Sequence, residues 1–118
     1  MSTDISDLRD TTGFIGACLV DSESGLMLAS ESSGTKFDLE AAGAANTEVV
    51  RAKNATLAAL GLDDYIEDFL ITLGTQLHLI RPLASNPAIF LYLAVERKTA
   101  NLGMARLALK TVEGTLKV

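Results

Sequence analysis

The 118-residue sequence has few of the residues from which most catalytic and metal sites are built. It contains one cysteine, one histidine and no tryptophan, and only 5% of its residues are aromatic. A lone cysteine cannot form an intrachain disulfide, which is typical of proteins from a reducing cytoplasm. One cysteine and one histidine cannot supply the ligand set of a zinc site. We therefore expect neither a metal site nor a cofactor.

Basic residues are also scarce, since ten Lys and Arg stand against fifteen Asp and Glu, for a net charge of −5. Nucleic acids and anionic membranes are bound by clustered cations, which this sequence lacks. The longest apolar run, Ala88–Val95, is too short to cross a bilayer. The polar, acidic segment Met1–Asp4 does not resemble the start of a signal peptide. We expect no nucleic-acid partner, no membrane insertion and a cytoplasmic location.

Hydrophobic residues make up 48% of the chain and predict one domain, residues 1–118, with a substantial core. The segments Phe14–Val20 and Ala88–Val95 are apolar on both faces, which is typical of central strands covered on both sides. In the first of them, alternation places Phe14 with Cys18 and Val20. The predicted order α-β-β-α-β-β-β-α indicates an α+β sandwich, a five-stranded antiparallel sheet with helices on both faces.

Local patterns place the remaining elements. They are a short helix Ser2–Arg9 capped by Ser2 or Thr3, a strand Leu26–Ser30, a long helix from Asp38 to about Leu60 that ends at Gly61, two strands Tyr65–Leu73 and Gln76–Pro82, and a closing helix capped by Asn101. A type II′ turn at Gly74-Thr75 would set the register of the second hairpin. That register pairs Ile71 with His78, Phe69 with Ile80, and Asp68 with Arg81.

The long helix has an apolar arc of roughly half its circumference, more than one sheet contact needs. Its small residues would let a second helix approach closely, and the strand Tyr65–Leu73 has a backbone edge that would pair with its own copy. We therefore predict a homodimer joined through the long helix and the edge strand. The predicted interface residues are Ala41, Ala42, Ala45, Val49, Val50, Leu57, Phe69 and Ile71.

No group of residues predicts catalysis. His78 has no nucleophile placed to use it, and Cys18 lies in an apolar strand where a thiol is inert. The segment Asp21–Gly25 lacks the full ligand set of a calcium loop and is interpreted as a solvated turn. The acidic residues around Asp64 mark the end of a helix, and the glycines form no phosphate-binding motif. We predict that the protein is not an enzyme.

The first hairpin carries a resemblance to a known family. An apolar strand ending in Val20-Asp21, a short turn, Gly25 and a strand ending in Ala29-Ser30 resemble the first hairpin of the Roadblock / dynein light chain family, and the element order matches over essentially the whole chain. The resemblance implies a homodimeric scaffold or regulator of small Ras-like GTPases, similar to small stand-alone bacterial members. It places the partner on the face of the paired long helices, which points to Glu40, Thr47, Arg51 and Asn54. It implies no arginine finger, and Arg51 is interpreted as a solvated residue.

Two other functions remain open. A small-molecule sensor would hold its ligand between sheet and helix, in an apolar cavity near Phe14, Met27 and Phe90. A nucleotide-independent adaptor would bind a kinase-like partner through its surface alone.

Overall fold

The computed structural model describes residues 2–34 and 36–118. Its elements are, in chain order, a 3-10 helix Ser6–Asp10, β1 Phe14–Asp21, β2 Leu26–Ser32, α1 Leu39–Ala59, β3 Phe69–Thr72, β4 Gln76–Pro82, β5 Ile89–Glu96 and α2 Leu102–Glu113. The strands form one antiparallel sheet in the order β2-β1-β5-β4-β3. The predicted five-stranded α+β sandwich is confirmed.

The two strands that are apolar on both faces lie inside the sheet, as predicted. β5 pairs with β1 on one side and with β4 on the other, and Ile89 through Val95 are all buried. On one face of the sheet, Leu91 and Leu93 pack with Ala105 and Leu109 of α2. On the other face, Phe90, Tyr92 and Ala94 pack in the layer beneath α1. Each face therefore has its own hydrophobic core.

The alternation in β1 differs from the prediction at its first two residues. Phe14 packs in the core beneath α2, whereas Cys18 and Val20 pack beneath α1. The register between β1 and β5 shifts between Phe14 and Gly16, and this bulge exchanges the faces of Phe14 and Ile15. The prediction that Phe14 shares a face with Cys18 was therefore wrong.

The first helix is shorter than predicted. It is a 3-10 helix that starts at Ser6, whose backbone N–H donates to the Asp4 carboxylate at 2.9 Å. Ser2 does not cap it, because Ser2 pairs with Lys117 through two backbone hydrogen bonds of 2.9 and 3.0 Å. The two ends of the described chain thus lie side by side, a pairing that no local pattern in the sequence predicts.

The second hairpin has the predicted register from Phe69–Ile80 to Ile71–His78, but β3 begins four residues later than predicted. Pro82 explains the late start. Every second residue of β4 hydrogen-bonds with β3, starting at Gln76, whose carbonyl accepts from the Leu73 N–H. Pro82 belongs to this series but has no N–H to donate, so the ladder stops there.

Two details of this hairpin correct the prediction. The φ angle of Gly74 is not positive, so the turn is not type II′. Asp68 does not pair with Arg81. Its carboxylate accepts from Arg106 of α2 at 3.2 Å, while Arg81 donates to Glu113 at 2.6 Å. Helix α2 lies over this face of the sheet and provides partners for both Asp68 and Arg81. The register of two strands alone does not show such partners.

Both helices begin at the predicted caps. The Asp38 side chain accepts from Ala41 N–H and the Asn101 side chain from Met104 N–H, each at 3.0 Å. Gly61 follows α1 with a φ of 67°, a conformation that glycine adopts without strain. Within residues 2–34 and 36–118, neither helix is long and apolar enough to pass through a bilayer.

Candidate interaction surface on the long helix

Helix α1 packs on the sheet through the side that carries Gly43. Its buried residues are Leu39, Gly43, Thr47 and Val50. A Cβ atom at Gly43 would lie 3.1 Å from a methyl carbon of Val20, so the missing side chain sets how closely the helix approaches β1. The Thr47 hydroxyl donates to the Gly43 carbonyl at 2.9 Å, which satisfies its hydrogen bond within the helix and permits burial.

This orientation corrects two of the predicted site residues. Thr47 was predicted on the exposed partner-binding face, but it is only 4% exposed. Val50 was predicted at the dimer interface, but it is 1% exposed and packs in the core beneath α1. Both errors have one cause. Ala, Gly and Thr differ little in hydropathy, so the hydropathy pattern of α1 placed its buried side at the wrong angle around the helix axis.

The opposite side of α1 is exposed although it is mostly apolar. The exposed small and apolar residues on the helix are Ala41, Ala44, Ala45, Val49, Ala52, Ala55, Ala58 and Ala59. Beyond Val50 every residue of the helix is exposed except the half-buried Leu57, and the exposed Leu60 follows the helix directly. The second half of α1 therefore lacks a covering layer within the described chain.

Arg51 lies on this helix but is bound to the body of the protein. Its guanidinium donates to the Ser22 carbonyl at 2.5 Å and to the Glu23 carbonyl at 3.4 Å, and it forms an exposed ion pair with Glu48 at 3.3 Å. Ser22 is itself fixed, because its N–H and its hydroxyl both donate to the Ala88 carbonyl. Arg51 thus holds α1 against the β1–β2 turn.

The other two residues predicted for partner binding, Glu40 and Asn54, are exposed. Glu40 and Arg51 lie about three helical turns apart and therefore on the same flank of α1. Asn54 faces a cleft of about 590 Å³ beside the segment Asp64–Glu67. The structure thus places Glu40 and Arg51 on one surface and puts Asn54 at its margin.

The predicted edge strand lies at the edge. β3 is the last strand of the sheet, and its outer backbone edge has no neighbouring strand within the described residues. Phe69 and Ile71 are half-buried and pack on the same side of the sheet as α1. Helix α1 and these side chains of β3 therefore lie on the same face of the sheet.

A polar cluster lies between the sheet and α1, and sequence reasoning missed it. The Tyr92 hydroxyl and His78 Nδ1 are 3.1 Å apart, and His78 Nε2 is 2.7 Å from the Gln76 amide oxygen. The Phe37 ring makes an edge contact with the imidazole and stacks on the Tyr92 ring. The signal available in the sequence was the pair of polar residues, Asn46 and His78, within otherwise apolar segments.

Burial controls the titration of this cluster. Desolvation lowers the pKa of His78 and raises that of Tyr92, whose hydroxyl also hydrogen-bonds with the Asn46 side chain. Desolvation likewise raises the pKa of the fully buried Cys18 thiol to about 12. At neutral pH these groups are uncharged, so the cluster is a neutral hydrogen-bonded layer in the core and Cys18 is not a nucleophile.

The described residues show no grouping suited to metal binding. Within residues 2–34 and 36–118, no three His, Cys, Asp or Glu side chains lie together in a way that could hold an ion. In the predicted solvated turn, the Asp21 carboxylate accepts from Glu23 N–H at 3.0 Å. One cleft lies beside Asn54 and another beside Gly74, and neither is lined by Phe14, Met27 or Phe90, where a small-molecule sensor was predicted to hold its ligand.

Comparison with known proteins identifies the fold. No family model matches the sequence, and no curated protein matches it. Among solved structures, a Roadblock/LC7 domain from Streptomyces avermitilis matches with a TM-score of 0.79 and 10% identity, over 93% of this chain and 88% of that one. Myxococcus xanthus MglB matches with a TM-score of 0.74 and 16% identity, over 92% and 81%. The gliding protein MglB from Thermus thermophilus gives 0.76 and 18%, over 92% and 79%. The protein has the Roadblock/LC7 fold.

Proposed function

We propose that this protein is a non-enzymatic homodimeric scaffold of the cytoplasm that binds a small Ras-like GTPase on the face carrying its paired α1 helices. Two observations carry the proposal: within the described chain, the apolar side of α1 is uncovered and the outer edge of β3 is open, with α1 and the side chains of Phe69 and Ile71 on the same face of the sheet. The Roadblock/LC7 fold and the family resemblance of the first hairpin support the GTPase as partner.

The exposed side of α1 suits a second copy of the same helix. Ala41, Ala45 and Ala52 carry single methyl groups, so two such helices can approach closely and bury their backbones against each other. An exposed edge strand attracts another strand unless it is covered or charged. A second copy related by a two-fold axis beside β3 would cover both the exposed side of α1 and the edge of β3, giving a continuous sheet with two helices on one side.

The dimer is tested by a matched pair of substitutions at adjacent valines. Val49 is 38% exposed on the proposed interface, whereas Val50 is 1% exposed in the core. Val49→Asp should convert the dimer to a folded monomer, and Val50→Asp should unfold the chain, because a buried carboxylate lacks a partner there. Light scattering gives the mass and circular dichroism the fold. A dimer that tolerates Val49→Asp would contradict this interface.

The GTPase is tested by affinity capture from native lysate with GDP or a GTP analogue added. A small GTPase enriched with one nucleotide supports the proposal. Enrichment of a kinase-like protein without nucleotide dependence would replace it with the adaptor function. A metabolite that raises the melting temperature, with no protein captured, would favour the sensor.

Glu40→Lys then tests the assigned face. The Glu40 side chain is exposed and makes no hydrogen bond or ion pair with another described residue, so its reversal leaves the fold and the dimer unchanged. The expected result is weaker binding of the captured GTPase, measured by calorimetry. The matched control is Asp10→Lys on the 3-10 helix, which packs on the opposite face of the sheet and should bind like the wild type. Equal affinity for wild type and Glu40→Lys would remove this residue from the interface.

A further inference from the structure

Charged residues of opposite sign lie at the two ends of the edge strand β3. At its beginning, Asp63, Asp64 and Glu67 are exposed in the segment that leads into the strand. At its end, Arg97 and Lys98 are exposed beside the β3–β4 turn. The sequence separates these two groups by about thirty residues, and the sheet brings the basic group to the far end of the same strand.

The basic group is held at that end by the backbone. Arg97 N–H donates to the Thr75 carbonyl at 2.9 Å, and the Arg97 guanidinium donates to the Leu73 carbonyl at 3.1 Å. Lys98 makes no hydrogen bond or ion pair with another described residue. Glu96 lines the same cleft, so the local charge is one positive unit.

Asp63, Asp64 and Glu67 form no ion pair within the described part of the chain. Asp68, the last residue before β3, is paired with Arg106 of α2. Asp63 and Glu67 have no partner among the described residues, and Asp64 accepts only from the neighbouring Tyr65 N–H at 2.8 Å. Of the two cations that line the cleft beside Asp64 and Glu67, Arg81 is paired with Glu113. Lys110 is therefore opposed by three carboxylates, and the segment keeps a negative excess that a further cation would offset.

We infer that these two groups meet across the homodimer interface and fix the antiparallel orientation in which two β3 edges pair, an inference that rests on the homodimer proposed above. A two-fold axis perpendicular to the sheet places the beginning of each β3 against the end of the other. In registers centred on Leu70, on Ile71 or between them, Glu67 lies opposite residues 73 to 75 of the second copy. Those residues include both carbonyls that hold Arg97.

The same charges disfavour the alternative arrangement. Two β3 strands paired in parallel would put acidic beside acidic residues at one end of the interface and basic beside basic residues at the other. The occupant of this edge is therefore a second copy of this chain in antiparallel orientation, since it brings the complementary charge to each end. Charge at the rim of an interface contributes more to orientation and specificity than to affinity.

Two single charge reversals test the inference in the full-length chain. Glu67→Lys and Lys98→Glu each create two repulsive contacts in a symmetric dimer, so each should raise the dimer Kd about tenfold. Sedimentation equilibrium measures the Kd, and circular dichroism confirms the fold. The matched controls are Glu23→Lys and Lys117→Glu, which carry the same changes away from β3 and should leave Kd unchanged.

Mixing the two variants gives the decisive result. In a heterodimer of Glu67→Lys with Lys98→Glu, lysine faces glutamate at both ends, so the mixture should recover the wild-type Kd although neither variant does so alone. Unchanged Kd in the single variants overturns the inference, and so does a mixture that does not recover. A monomeric wild-type chain overturns the proposed homodimer itself, which separates the two failures.

Discussion

The ion pair between Arg81 and Glu113 supports a quantitative prediction. The Arg81 Nε donates to one Glu113 oxygen at 2.6 Å, and the Ala84 backbone N–H donates to the other at 2.7 Å. The two side chains are only 11% and 13% exposed. One carboxylate thus joins the end of α2 to β4 and to the loop that follows β4, at the wall of the cleft beside Asn54.

Glu113→Ala would remove the acceptor of a largely buried guanidinium, whereas the exposed Ala84 N–H could bind water instead. Removing one partner of a buried ion pair costs about 3–5 kcal/mol. Because both side chains keep some contact with water, we expect the lower end, a loss of about 3 kcal/mol in the free energy of unfolding. Unfolding entropy of about 2.1 cal/mol/K per residue converts this into a fall in Tm of roughly 12 °C.

Urea denaturation and calorimetry of the dimeric protein at one fixed concentration measure both quantities. Glu113→Gln should lose less, since an amide oxygen can still accept one of the two bonds. Glu48→Ala is the control, because its pair with Arg51 is exposed and contributes less than about 0.5 kcal/mol. A loss below about 1 kcal/mol for Glu113→Ala would refute the reasoning that this pair is effectively desolvated.

Three further predictions follow from burial and capping. Desolvation lowers the pKa of His78 below its ordinary 6.5, so the unfolded chain binds the proton more readily than the folded one. The free energy of unfolding should therefore fall as the pH drops below about 6.5. Urea melts from about pH 5 to 8 measure this slope, and His78→Gln should flatten it. Cys18, with a pKa of about 12 and no exposure, should resist maleimide in the folded protein and react in denaturant, and rapid native labelling would contradict its burial. Asn101→Ala removes the cap of α2 and should cost about 1 kcal/mol by chemical denaturation, while no change would show that another group caps the helix.

Several parts of the fold were predictable because local chemistry decides them. The caps Asp38 and Asn101 act within one helical turn, and the apolar character of β1 and β5 on both faces reflects only their place inside the sheet. The register of the β3–β4 hairpin follows from its short turn, so the Ile71–His78 pair was correct. These are properties of neighbouring residues, which a sequence displays directly.

The candidate site was only half predictable. The sequence shows that α1 has more apolar surface than one contact needs, but Ala, Gly and Thr differ too little in hydropathy to show which side faces the sheet. Gly43 decides it, since its missing Cβ lets Val20 of β1 approach. Thr47 and Val50 consequently turn inward, and Ala45 and Val49 remain exposed.

By itself, the sequence determined the kind and order of the elements and the two central strands, because these depend on composition and short-range periodicity. Only the tertiary structure decided which charges meet. Asp68 turns to Arg106, Arg81 turns to Glu113, and Arg97 reaches the turn that ends β3. Such partners are distant in sequence and are chosen by how α2 and the sheet pack, since a Coulomb interaction depends on separation in space.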